Sequence, residues 1–233
     1  MKTFKRYILT LSLMSICIML NAQSSVSRDI NLQAGGVSER GIETVSGDVS
    51  IGKSAKVLAA IETVSGDIEI GVKSKVRDVN SVSGDISLGK QVQSKSIETV
   101  SGDITIYAGA DIDGSIETVS GDIIGQGDCD IHDNIVTVSG DIELDNCRVR
   151  RDLITVSGDI ALFNGSIVEG DIIINRKNDI LNGYQGKLKV VIDMNSVVKG
   201  SIRVKEKDTN VIVYLSNGGK VRGEIINADV QEQ

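Results

Sequence analysis

The pentapeptide V-S-G-D-[IV] occurs seven times in this chain, at 45–49, 64–68, 82–86, 100–104, 119–123, 138–142 and 156–160. Aligned on it, residues 42–170 divide into units at 42–60, 61–78, 79–96, 97–115, 116–134, 135–152 and 153–170, each 18 or 19 residues long. So short and steady a period is that of a solenoid, in which each unit is one coil stacked on the last.

Each unit holds three short apolar segments. The first is I-x-T-V, as in Ile61 to Val64; the second follows the Gly-Asp pair, as in Ile68/Ile70, Ile86/Leu88 and Ile104/Ile106. The third centres on one β-branched residue: Val57, Val76, Ile112, Ile131, Val149 and Ile167, with Val92 the nearest match in the irregular 79–96 unit. Period-two alternation in three segments predicts an all-β fold: a single-stranded parallel β-helix (β-solenoid) with three short strands per 18–19-residue coil. The general crossover preference favours a right-handed coil; a left-handed hexapeptide helix, also with 18 residues per coil, is the alternative. Aromatics make up 3% of the chain, with no Trp and no Pro against 25 Gly. Stacked Ile, Val and Leu must therefore build the core, which suits strands and tight corners better than packed helices.

The repeated corners are Gly47–Asp48, Gly66–Asp67, Gly84–Asp85, Gly102–Asp103, Gly121–Asp122, Gly140–Asp141 and Gly158–Asp159. Glycine there permits a turn that a side chain would obstruct. The flanking Ser and Asp can satisfy free corner amides. Identical coils need identical corners, so a structural role accounts for the repeat without a ligand.

The ends differ from the repeat. Lys2, Lys5 and Arg6 precede an apolar run from Tyr7 to Leu20, and "LNA" at 20–22 offers a cut before Gln23. Residues 1–22 read as a cleaved signal peptide, too short for a membrane span. Cys17 follows Ile16 where a lipoprotein signal wants a small residue. The expected locale is the cell surface, outer envelope or periplasm, with no transmembrane helix in the mature chain. Residues 23–41 read as a polar lead and partial first coil. Residues 171–233 read as an irregular cap: "NRKNDILNGYQGK" interrupts it, 190–204 resembles 211–225, and "NADVQEQ" ends it as a frayed tail. A cap is needed because an open solenoid end is an exposed sheet edge.

Cleavage would remove three positive and no negative charges, taking the formal net charge from −7 to −10. That disfavours nucleic acid and anionic membranes as partners. Stacking makes columns of like residues: the seven corner aspartates, and Glu43, Glu62, Glu98 and Glu117, interrupted by Asn80, Val136 and Ile154. Adjacent like charges repel, and Ca²⁺ could relieve them, but no calcium-repeat or EF-hand pattern is present. The expectation is no cofactor and no metal.

On the third segment, inward Ile112, Ile131 and Val149 imply inward Ala110, Cys129 and Cys147. The outward pairs are then Asp111/Asp113, Asp130/His132 and Arg148/Arg150, with both arginines pairing to the acidic coil below. Asp111, Asp113, Asp130 and His132 are the only metal candidates, without a second His or Cys on that side. Cys129 and Cys147 lie 18 residues apart, one coil, within the Cα range a disulfide tolerates. They are either bonded, as an oxidising compartment permits, or small core residues. Catalysis has little to build on: the acids repeat by coil, and one His beside charged neighbours makes no Ser-His-Asp set. An ice-binding face built on the Thr and Ser of T-V-S fails because Ile61 and Thr63 share a face, which must be the core.

The repeated "ETVSGDI" and the "VVxxxSVVKGSI" ending resemble a bacterial family of secreted β-solenoid proteins grouped as adhesins, largely a domain of unknown function. The ending is also similar to bactofilin coils, the polymer-forming β-helices. The first resemblance covers about residues 30–228 and implies a non-enzymatic surface or envelope role in attachment, through an unidentified protein or glycan ligand. It carries no catalytic or binding residues. A periplasmic scaffold, with end-to-end self-association, is the competing reading, and a glycan-processing enzyme a third.

Overall fold

A computed structural model describes residues 23–25, 28–175, 186–207 and 210–232. The expected signal peptide, with Cys17, lies outside these residues, as does most of the 175–187 interruption.

Three columns of parallel strands wind into a solenoid of about ten coils. Two are continuous eleven-stranded sheets: the first face carries the I-x-T strands and the second the strands after Gly-Asp. The third face is built of two-residue strands from Val37–Ser38 to Lys220–Val221, carried across Lys75 by single bridges to Lys56 and Gln93. No helix occurs among the described residues. Every pairing is in register with the repeat, so Ile42 meets Ile61, Glu43 meets Glu62 and Thr44 meets Thr63.

This register stacks aliphatic on aliphatic through the interior. On the second face Ile68, Ile86, Ile104, Ile123, Ile142 and Ile160 form one unbroken column, each at most 1% exposed. Thr63 is 2% exposed, inward on the same strand as Ile61, so the threonines of T-V-S line the core and do not form an outer face.

The structure corrects four expectations about the coils. The inward residue of the 153–170 coil is Val168, because Arg148 pairs with Ile167 and Val149 with Val168. In the 79–96 coil the position falls to Ser94, which pairs with Ile112. Val92 instead fills the place held by Ala110 in the next coil, and this coil keeps its volume by exchanging a large and a small residue. The lead is not partial, since strands at Gln23–Ser25, Ile30–Leu32 and Val37–Ser38 supply all three faces. The ending is not frayed either: Asp229–Glu232 extends the second face in register with Ile212–Leu215.

Candidate functional site

The V-S-G-D corner joins the first face to the second, and its glycines are not left-handed. Positive-φ glycines are Gly35, Gly109, Gly127, Gly165 and Gly218, all elsewhere. Corner glycine is required by closeness. A Cβ on Gly66, Gly84, Gly102, Gly121, Gly140 or Gly158 would clash with the carbonyl of the corner glycine one coil before. The expected turn chemistry gives way to stacking: glycine lets successive corners nest on each other's backbone.

The corner aspartates form one hydrogen-bond ladder. Asp67 N–H donates to Asp48 Oδ1 at 3.0 Å, Asp85 to Asp67 at 2.9 Å, and Asp103 to Asp85 at 2.9 Å. The run continues through Asp122, Asp141 and Asp159 at 2.8, 2.8 and 2.7 Å. It begins at Asp29, which accepts from Asp48, and ends where Lys189 N–H donates to Asp159 at 2.8 Å. Each carboxylate therefore caps the amide of the following coil, not its own corner. The serines act in the other direction: Ser65, Ser139 and Ser157 hydroxyls donate to valine carbonyls of the preceding coil. In later coils the buried threonine completes the corner, as Thr118, Thr137 and Thr155 accept from Gly121, Gly140 and Gly158.

A second ladder, not apparent from the repeat, climbs the corner between the third and first faces. Asp152 N–H donates to Asn134, Asp171 to Asp152, Ser201 to Asp171 and Glu224 to Ser201, at 2.7–3.1 Å. The signal that would have found it is the Asn, Asp or Ser immediately before the first-face strands that begin at Ile135, Leu153, Ile172 and Ile202.

The remaining turn, between the second and third faces, holds Ser54, Lys73, Gln91, Asn146 and Asn164 at positive φ. Asn is the side chain best able to tolerate that region. Asn146 and Asn164 also donate to Asp128 and Asp145 one coil below, at 2.6 and 2.7 Å.

The third face carries the only histidine. His132 Nε2 lies 2.9 Å from Asp111 Oδ1, and Nδ1 lies 3.8 Å from Asp113. Donor atoms of Asp111, Asp113 and His132 fall within 4.8 Å of one another. Asp130, the fourth candidate, has Oδ2 3.8 Å from His132 Nε2, but Arg150 holds both its oxygens, at 3.0 and 2.7 Å. That guanidinium keeps the Asp130 carboxyl below its ordinary pKa. Arg148 does not pair with the coil below as expected but reaches up to Glu169 at 3.0 Å, which Lys199 also meets at 3.2 Å. The Lys199 hydrogen bond, chiefly, lowers the Glu169 pKa. The arrangement is a ladder in which His132 stands above Asp111 and Asp113, Arg150 above Asp130, and Glu169 is met by both Arg148 and Lys199.

Directly inside it, Cys129 and Cys147 form a disulfide with Cα atoms 4.6 Å apart. Opposite stands Gly125, in a column that otherwise holds Ile106 and Leu144. A Cβ there would come 3.1 and 3.0 Å from the two sulfurs. Gly125 makes the room that the disulfide fills. Outside it, a depression of about 280 Å³ is lined by Asp128, Asp130, Asn146 and Arg148.

On the first face Glu43, Glu62, Asn80, Glu98 and Glu117 do stack in one outward column. Burial, and secondarily the neighbouring carboxylates, raises the Glu98 pKa; burial raises that of Glu117 against an opposing hydrogen bond from Ser115.

Residues 17–131 match the family model Toastrack DUF4097. The match spans just under half of the chain and five of the seven V-S-G-D corners. With the observed coils it supports a Toastrack-like β-helix repeat domain of unknown function. No curated protein and no solved structure matches the chain.

Proposed function

We propose that this protein is an exported, non-enzymatic β-solenoid that acts as an adhesin-like interaction module of the cell envelope. The observation carrying this reading is the ladder of corner aspartates. The residues most repeated in the sequence spend their hydrogen-bonding capacity on the next coil's amides, so the repeat serves the rod. What the rod offers a partner is its faces. Eleven strands at about 4.8 Å spacing give roughly 50 Å of stiff, regular surface, which suits repeated weak contacts with an extended protein or glycan. The disulfide is compatible with an oxidising, extracytoplasmic compartment, as is the charged and apolar pattern of residues 1–22.

Protease treatment of intact cells tests this, with a periplasmic protein as control. Cleavage of the solenoid while the control survives supports surface display. Protection until the outer envelope is opened overturns the adhesin reading and leaves a periplasmic scaffold.

A further inference from the structure

The outward column of the first face changes character beyond the family match. After Glu117 the same position is taken by Val136, Ile154 and Ile173, and then by Arg203. Val136 is 6% exposed, and Ile154 and Ile173 are half-buried. Beside them on the same face lie the half-buried corner valines Val138 and Val156. Branched aliphatic side chains thus stand together where the coils below carry glutamates, with Glu117 on one side of them and Arg203 on the other, and Ile226 one coil beyond Arg203. An outward aliphatic cluster with a charged rim is the composition of an interaction surface.

The spacing identifies its occupant. Glu117 is two coils before Ile154 and Arg203 is two coils after it. A two-fold axis lying in the contact plane, parallel to the strands and passing over Ile154, sets Ile154 against itself, Val136 against Ile173, and Glu117 against Arg203. Such a patch is self-complementary, as an isologous contact requires. We propose that two copies of this chain associate side by side and antiparallel through the first face, centred on Ile154 and closed by reciprocal Glu117–Arg203 pairs.

Both charged groups have capacity for the contact. Arg203 Nε donates to Asp171 at 2.8 Å, which fixes the side chain and leaves its terminal N–H groups. Ser115 donates to Glu117 Oε1 at 2.9 Å, which leaves Oε2. The raised Glu117 pKa reflects a carboxylate that its own chain compensates incompletely. Overlap about Ile154 spans seven coils, roughly 34 Å, and a face about 10 Å wide then buries on the order of 350 Å² per copy. A standard interface buries about 800 Å² per partner, so the dimer is weak and concentration-dependent. It goes beyond the proposed function, giving the rod two oppositely directed ends.

Sedimentation equilibrium of the purified full chain tests it between about 1 and 300 µM, where weak association shifts from monomer to dimer. The expected result is a reversible monomer–dimer transition that stops at two. Ile154→Asp should abolish it while leaving the far-ultraviolet spectrum and the unfolding midpoint near those of the parent. Glu117→Arg and Arg203→Glu should each weaken self-association at least tenfold. Mixing the two variants should restore it, because both rim pairs in the heterodimer are then of opposite sign. A parent that stays monomeric throughout overturns the proposal. So does a dimer indifferent to these variants, or growth past two copies as in end-to-end stacking.

Discussion

Replacing Asp103, in the middle of the corner ladder, separates its work as a hydrogen-bond acceptor from any work as a charge. Its Oδ1 accepts from Asp122 N–H at 2.8 Å, and its own amide donates to Asp85 at 2.9 Å. Asp103→Ala leaves the Asp122 amide without its acceptor, a loss of about 1–3 kcal/mol, toward the lower end because the group is exposed. Asp103→Asn keeps an acceptor oxygen in the same place. It gives up the charge assistance, about 0.5–1.5 kcal/mol, but also removes repulsion from the aspartates on either side. At about 4.8 Å in water each repulsion is about 0.9 kcal/mol, falling to about 0.5 kcal/mol at physiological salt. The two effects offset, so Asn should lie within about 1 kcal/mol of the parent while Ala falls below it. Urea unfolding followed by circular dichroism measures both. An Asn variant as unstable as Ala would refute the acceptor role and make the charge itself, with a bound cation, the reason for the column.

Gly102→Ala drives a Cβ into the Gly84 carbonyl and should cost about 3 kcal/mol or more in the same titration, since backbone cannot move aside as a side chain does. Gly165→Ala, at φ +82 with nothing within 4 Å, should cost only the left-handed strain of about 1–2 kcal/mol. Reduction of the Cys129–Cys147 bond, whose sequence separation is 18, should lower stability by about 3 kcal/mol on the loop-entropy estimate. Gly125→Leu should be tolerated better in the Cys129→Ala/Cys147→Ala background than in the parent; equal cost in both would refute the fitted-cavity account. The raised pKa values of Glu98 and Glu117 mean that the folded state binds their protons more tightly than the unfolded chain does. Their contribution is therefore unfavourable above the folded pKa and is relieved as pH falls toward the ordinary glutamate range. Asp130, held down by Arg150, has the opposite sign: its stabilisation is full above the ordinary aspartate pKa and is lost as pH falls through the lowered one. Glu98→Gln should thus raise the urea midpoint at pH 7 and leave it unchanged at pH 4, whereas Asp130→Asn should lower it at pH 7 and matter little at pH 2.

Coil length, strand positions and the inward sets of the first two faces were legible because a period-two pattern repeated seven times leaves one register that buries every Ile and Val. The third face was less legible. Two-residue strands carry one inward position each, so one hydrophobic neighbour is enough to mislead, as Ile167 does beside Val168 and Val92 beside Ser94. Arg148 was misplaced for a related reason: an outward side chain on a solenoid has a coil on both sides, and spacing alone does not choose between Asp130 below and Glu169 above. The corner glycines show a deeper limit. Gly-Asp in a loop reads as turn chemistry within one coil, yet the glycine answers a clash, and the aspartate an amide, that exist only once coils are stacked. The V-S-G-D motif is therefore an intercoil joint written within a single coil. It recurs where the coils keep this joint and stops at Gly158–Asp159, although the second face runs on for three more strands. There the next coil widens and the Lys189 N–H donates the last bond of the ladder to Asp159, with no side-chain carboxylate to carry it on. Positions outside that joint are free to differ from coil to coil. On the first face they run from glutamate to aliphatic to arginine while the strands keep their register, so a function particular to this chain is to be sought in that drift and not in the motif.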